Sequence, residues 1–146
     1  MQIHGSCHCR NITFTLEWEP TPTSIPARTC TCTFCKKHGG SWTSCSTGSL
    51  EVVVMDASLV STYAFATKTA DFHICSRCGV VPVVTSRIEG RVYAVVSVNT
   101  FEGIECSFLR ESSASFDGEG EVARLARRQR SWIPDVRFVN QAVTES

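Results

Sequence analysis

The sequence predicts a mainly β fold with little helix, organised around clusters of cysteine. Three observations point there. Short runs of β-branched and aromatic residues recur along the chain, separated by turn residues. One early segment alternates apolar and polar residues at the period of a half-buried strand. Nine cysteines occur mostly in tight groups rather than singly, which suits ligands sharing an ion better than scattered core thiols.

The first group is Gly5-Ser6-Cys7-His8-Cys9-Arg10. Alternate spacing places Cys7 and Cys9 on one side if the backbone is extended. Ile12, Phe14, Leu16 and Trp18 then alternate with Thr13, Thr15 and Glu17, a strand by period and residue type. Glu19 to Pro26 reads as a loop, because Pro20, Pro22 and Pro26 remove ladder donors. Cys30-Thr31-Cys32-Thr33-Phe34-Cys35 follows, with Cys35 rejoining the first two thiols only if the chain turns after Cys32. Lys36 to Gly40 reads as a helical turn ended by glycine, and Ser41 to Ser46 as a strand.

Leu50 to Met55, Ser61 to Ala66 and Asp71 to Ile74 read as further strands, the last feeding Cys75-Ser76-Arg77-Cys78-Gly79. A CxxC and glycine after a short strand has the form of a metal knuckle, whose turn aims backbone N–H groups at sulfur. A redox pair would need a βαβ setting, whereas β-type residues follow here. Val80 to Thr85 and Arg91 to Val98 are strands. Glu119 to Arg130 admits a short helix through Val122, Leu125 and Ala126. No repeat or boundary divides the chain, so residues 1–146 are expected to form a single zinc-binding domain.

Composition bounds the function. With 146 residues, 42% hydrophobic and 19% charged, the chain has enough apolar material for one real core. Its formal net charge is zero, which gives no bulk attraction to nucleic acid or an anionic membrane. Arg124, Arg127, Arg128 and Arg130 form a basic cluster, but Glu119 and Glu121 sit beside it and no stacking motif accompanies it. No apolar run reaches the length of a membrane span. The first residues show no signal-peptide pattern, so a cytoplasmic location is expected. Clustered thiols in a reducing compartment favour metal over disulfides.

Seven thiols divide most simply as four and three. Cys7, Cys9, Cys75 and Cys78 would close a structural zinc site, and Cys30, Cys32 and Cys35 would hold a second zinc with one position open for chemistry. The rival pairing joins the triple cluster to the knuckle and leaves Cys7 and Cys9 spare. Cys45 and Cys106 read as small buried apolar residues, with Cys45 as a fourth ligand of the triple cluster the lesser alternative. Lys36, Lys37 and Arg77 adjoin cysteines and could meet the carboxylates of an anionic thiol, although solvated charges are the commoner case. His38 is a candidate proton carrier or a simple turn residue. His8 and His73 flank cysteines without an evident role, and His4 is expected at the surface. Trp42, Phe34 and Phe72 could line a pocket or fill the core.

In combination, Gly-Ser-Cys-His-Cys-Arg, Cys-Thr-Cys-Thr-Phe-Cys-Lys-Lys and Cys-Ser-Arg-Cys-Gly resemble the glutathione-dependent formaldehyde-activating enzyme (Gfa)/centromere protein V family. Ser131-Trp132-Ile133-Pro134-Asp135-Val136-Arg137-Phe138 is similar to that family's Trp-Ile-Pro-containing tail. The resemblance implies an Mss4-like fold of antiparallel sheets with two zinc ions per chain: Cys7, Cys9, Cys75 and Cys78 match the structural site, and Cys30, Cys32 and Cys35 the catalytic one. It implies a carbon–sulfur lyase joining formaldehyde to glutathione as S-hydroxymethylglutathione, or acting on a related small electrophile. Thr31 stands where family members often have histidine, a departure that bears on substrate choice rather than on the metal. The expected partner is a small molecule, with glutathione the candidate; neither nucleic acid nor membrane is expected, and no oligomeric state is indicated. The alternative is a binding module in which both metals are structural. No glycine-rich dinucleotide fingerprint supports a reductase.

Overall fold

The computed structural model describes residues 1–140. Twelve strands and two short helices make two sheets packed face to face. The smaller sheet contains β1 (Gln2–Ser6), β2 (Ile12–Glu17), β5 (Ser49–Val54), β10 (Phe101–Glu102) and β12 (Asp135–Asn140), in the order β10-β1-β2-β5-β12. The larger contains β3 (Ile25–Cys30), β4 (Ser41–Thr43), β6 (Val60–Tyr63), β7 (Asp71–Cys75), β8 (Val83–Ile88), β9 (Arg91–Ser97) and β11 (Leu109–Ala114), ordered β11-β3-β4-β9-β8-β7-β6. Helix α1 (Thr33–His38) follows β3, and α2 (Glu121–Ser131) precedes β12. The ladders are antiparallel except β3–β11 and β5–β12, which are parallel. Both exceptions recruit strands from late in the chain to early partners, through the long connections that parallel pairing needs.

Alternation in β2 works as expected. Ile12, Phe14 and Leu16 are buried, Thr13, Thr15 and Glu17 only partly so. Opposite them Leu50, Val52 and Val54 of β5 are buried too. These side chains meet Ile25, Val83, Ala94, Val96 and Ile133 in the main core between the sheets.

Strands β8 and β9 lack that alternation because the larger sheet is covered on both faces. Val83 pairs with Val96 and faces the main core; the next pair, Val84 with Val95, faces a second core beneath α2. Glu89 and Gly90, with φ of 51° and 79°, turn the chain between them in the primed sense that suits a two-residue hairpin.

The second core contains Trp42, Phe72, Tyr93, Trp132 and Cys35. Helix α2 reaches it by an unexpected face. Val122 is 84% exposed, while Leu125 packs on this core and Arg128 is buried. The chain then stitches the layers together. Trp132 enters the second core, Ile133 the first, and Ile133 exchanges both backbone hydrogen bonds with Ala94, at 2.9 and 3.0 Å.

Several elements lie outside the sequence expectation. β1, β3, β10, β11 and β12 were not anticipated as strands, and β8 begins three residues later than Val80. Cys7 and Cys9 sit in the turn between β1 and β2 rather than along a strand. Cys45 is buried, but Cys106 is exposed, against expectation.

A candidate metal centre beside an arginine-walled cavity

The four-thiol cluster is built from two tight turns on different sheets. In the first, Cys7 N–H bonds Ile12 O, Arg10 N–H bonds Cys7 O, and Ile12 N–H donates to Cys7 Sγ at 3.3 Å. Arg10 takes a φ of 68° to close it. In the second, Gly79 N–H returns to Cys75 O at 2.7 Å and Gly79 has a φ of 82°, the left-handed backbone that glycine adopts without strain. The knuckle therefore forms as its sequence suggests.

Between the turns, Cys7 Sγ lies 3.9 Å from Cys9 Sγ, and Cys9 Sγ lies 3.5 Å from Cys75 Sγ. Sulfurs on a tetrahedron with metal–sulfur bonds of zinc length would be about 3.8 Å apart. All four, with Cys78, fall within 4.8 Å of one another, so the donor set fits a metal ion. Burial is the main influence pushing the Cys7 thiol up to about 12. Burial also opposes ionisation of Cys78, yet N–H groups of Cys9 and Val80 and the thiols of Cys75 and Cys7 bring it down to about 6. Such N–H donors are what a bound thiolate requires in a dry site.

Cys30, Cys32 and Cys35 form the second cluster, again within 4.8 Å. Cys30 ends β3, and Cys32 caps α1 by accepting a hydrogen bond from Cys35 N–H at 3.4 Å. Cys35 comes back from the first turn of the helix, which Gly39 ends with a φ of 75°. The turn expected after Cys32 is thus a helix start. A hydrogen bond from Cys35, against the cost of burial, lowers Cys30 to about 5; Cys32 and the charge of Arg127 help. Cys35 is pushed far up by the same interaction with Cys30 and by burial, while the Trp42 indole pulls the other way. Gly40 leaves room for that indole, since a Cβ there would sit 2.8 Å from Trp42 Nε1.

Cys45 takes no part in this cluster: its thiol meets Thr47 Oγ1 and Glu19 O. The partition is therefore four and three, and the rival pairing does not form.

What separates the clusters is their surroundings. All three thiols of the second line a cavity of about 370 Å³, and none of the first four does. Phe72, Trp42, Val84, Val95 and Trp132 supply apolar walls. Phe34 stays behind them, its ring 4.8 Å from Phe72. The polar wall comes from Arg28 on β3 and Arg124, Arg127 and Arg128 on α2.

The residues expected to make anion contacts lie elsewhere. Lys36 and Lys37 are exposed and are not among the cavity-lining residues; neither is His38, which stacks on Phe34 with centroids 5.4 Å apart. Arg77 is exposed in the other cluster's turn. Helix α1 turns its basic end, Lys36, Lys37 and His38, outward. The arginines of α2 were legible as a basic cluster, but their facing was not.

A model of the glutathione-dependent formaldehyde-activating enzyme family matches residues 2–114. The chain belongs to that family. The match contains all seven clustered cysteines and ends before α2. A crystal structure of a Rhodobacter sphaeroides protein is similar, with 28% identity and a TM-score of 0.53 over 71% of this chain and 92% of that one. No curated protein matches the chain. Among the described residues, no helix of this family member is long and apolar enough to cross a membrane.

Proposed function

We propose that the protein is a zinc enzyme of the carbon–sulfur lyase type, acting on the adduct of a thiol and an aldehyde or on a related small electrophile. Cys30, Cys32 and Cys35 would hold the reactive zinc; Cys7, Cys9, Cys75 and Cys78 would hold a structural one. The observation that carries this reading is the position of the three-thiol cluster in a cavity wall, with one side of its donor set turned to the cavity. A purely structural ion would gain nothing from that opening, so a binding module with two structural metals is the weaker account.

The reaction balances without a redox partner. The hydroxyl of the adduct loses its proton, the carbon–oxygen bond becomes a carbonyl, and the carbon–sulfur electron pair leaves with sulfur, which takes up a proton as thiol. Addition is the reverse. When bound, zinc would supply a position for a thiolate or carbonyl oxygen and lower the thiol's pKa.

The chain's own residues do the positioning. Cys35 N–H holds the Cys32 sulfur in place, and the Trp42 indole favours the thiolate of Cys35. Phe72, Trp132 and the Val84–Val95 pair exclude water from the apolar side, which strengthens charge interactions at the reacting end. Arg127, fixed by Glu119 at 3.0 Å, adds positive potential at Cys30.

Exchange of isotopically labelled formaldehyde with glutathione and with simpler thiols, followed by NMR, tests this together with metal analysis. Cys30→Ser should lose one metal and the catalysed exchange. A variant that exchanges at the full rate with the three-thiol site empty would sink the proposal.

A further inference from the structure

Charge around the cavity does not balance, and the surplus is concentrated where water is scarce. Four guanidiniums line the space. Glu119 takes two of them, with Arg124 Nε at 3.3 Å and Arg127 Nε at 3.0 Å. Asp117 stands exposed at the rim. Arg28 and Arg128 have no carboxylate partner among the described residues. Set against the four guanidiniums, Glu119, Asp117 and the one net negative charge of three thiolates around a divalent ion still leave one positive charge over.

Arg128 is the sharper case. It is only 7% exposed, and its Nη1 meets neutral hydroxyls alone, Thr69 Oγ1 at 2.8 Å and Ser86 Oγ at 3.1 Å. Its Nε is buried without any partner, and the guanidinium lies 4.9 Å from the centre of the Trp132 ring. Burial, then Arg127 and Arg124, brings its pKa down to about 10, so it is still charged at neutral pH. Arg28 donates to Ser44 Oγ at 3.1 Å, and the Ser44 hydroxyl in turn donates a hydrogen bond to Ser131 O at 2.7 Å. A buried cation met only by neutral hydroxyls and one ring face is a costly arrangement unless an anion completes it.

We propose that Arg128, assisted by Arg28, is a carboxylate-binding subsite of this cavity. The substrate class it selects is a small monocarboxylate with an apolar, preferably aromatic, body and its reacting group toward Cys30, Cys32 and Cys35. The single surplus charge matches one carboxylate better than a dianionic phosphate. The fork of a guanidinium fits a carboxylate in two-point fashion. Trp42, Phe72 and Trp132 provide the apolar bed that an aromatic body would fill. Arg128 lies on α2, beyond the 2–114 segment that the family model matches. The inference rests on the reading of the three-thiol cluster as the reaction centre for its orientation of substrate, but not for the existence of the subsite.

Binding is measured on the zinc-loaded protein by titration calorimetry, with 3-phenylpropanoate, its uncharged amide and inorganic phosphate as probes. The acid should bind at least tenfold more tightly than the amide and more tightly than phosphate. Arg128→Met should reduce the acid to the affinity of the amide, while the amide itself changes little. Arg128→Lys keeps the charge without the fork and should lose part of the preference, and it serves equally if the methionine variant does not fold. Equal affinity for acid and amide, no binding of either, a preference for phosphate, or an acid preference undiminished in both Arg128 variants overturns the subsite. Cys30→Ser separates the two proposals. Lost exchange with the acid preference intact leaves the subsite standing, whereas catalysed exchange in a wild-type protein without that preference removes the subsite alone.

Discussion

Cys9 and Cys75 lie 66 positions apart, yet their sulfurs are separated by 3.5 Å. Cys9 belongs to a turn of the smaller sheet and Cys75 ends a strand of the larger one, so a metal held there ties the two sheets directly. An ion bound by the folded form and not by the unfolded chain adds its binding free energy to stability. Cys75→Ser should therefore purify with one metal rather than two. Its melting temperature should fall by about 10 °C or more, given that 1 kcal/mol shifts a domain of this size by about 2–4 °C. Elemental analysis and calorimetry check both outcomes, and removal of metal from the wild type by a strong chelator should give a matching loss.

Cys32 offers the opposite experiment. Its sulfur both belongs to the three-thiol cluster and caps α1 by accepting from Cys35 N–H. Serine is a better N-cap than a thiol, so Cys32→Ser should keep the helix start while weakening the metal site. Metal content should drop toward one per chain with a smaller fall in melting temperature than that of Cys75→Ser, because three thiols within six residues can hold metal in the unfolded chain as well, which reduces what the ion adds to stability. A fall as large as that of Cys75→Ser would show that the second ion ties the fold as strongly as the first.

Gly5 pairs with Phe14 across β1 and β2, and an added Cβ would lie 2.2 Å from Phe14 Cζ. Phe14 is buried and meets Phe101 edge-on with centroids 6.1 Å apart, so it has little room to move. Gly5→Ala should cost about 1–3 kcal/mol, the usual range for overpacking. Combining it with Phe14→Leu should cost less than the sum of the single changes, as measured by a denaturant double-mutant cycle.

Glu119 is held in its charged form chiefly by the Arg127 hydrogen bond, which lowers its pKa from an ordinary 4.5. A carboxylate whose folded pKa is depressed contributes stability above its unfolded value and loses it as pH falls through the folded value. Glu119→Gln should thus cost about 1 kcal/mol at pH 7, in keeping with a partly screened pair. The gap between variant and wild type should stay constant down to about pH 5 and close below the unfolded value near 4.5. Denaturant titrations across that range give the comparison.

Much of the site is legible in the sequence. The spacing of Cys7, Cys9, Cys75 and Cys78 and of Cys30, Cys32 and Cys35 predicts the observed division. The reason is local: a metal-ligating turn needs its two sulfurs within a few residues and a glycine such as Gly79 to close it. The alternating β2 and the dense β9 also read correctly, since one face or both faces of a strand leave a direct mark on residue choice. The edge strands β10, β11 and β12 left a weaker one. β10 is two residues long, and β11 and β12 expose much of their side-chain surface, so there is little apolar pattern to see.

Sequence alone determined which residues can share an ion, because ligand geometry is written in short spacings. Only the tertiary structure decided which charges face the cavity. Lys36 and Lys37 follow the thiols in the chain and point away; Arg124, Arg127 and Arg128 come almost a hundred positions later and line the wall. That choice depends on how α2 lies against β8 and which of its faces is pressed down. Packing buried Arg128 and left Val122 in water, the reverse of what apolar periodicity favours, and such docking is a long-range contact that no local pattern encodes.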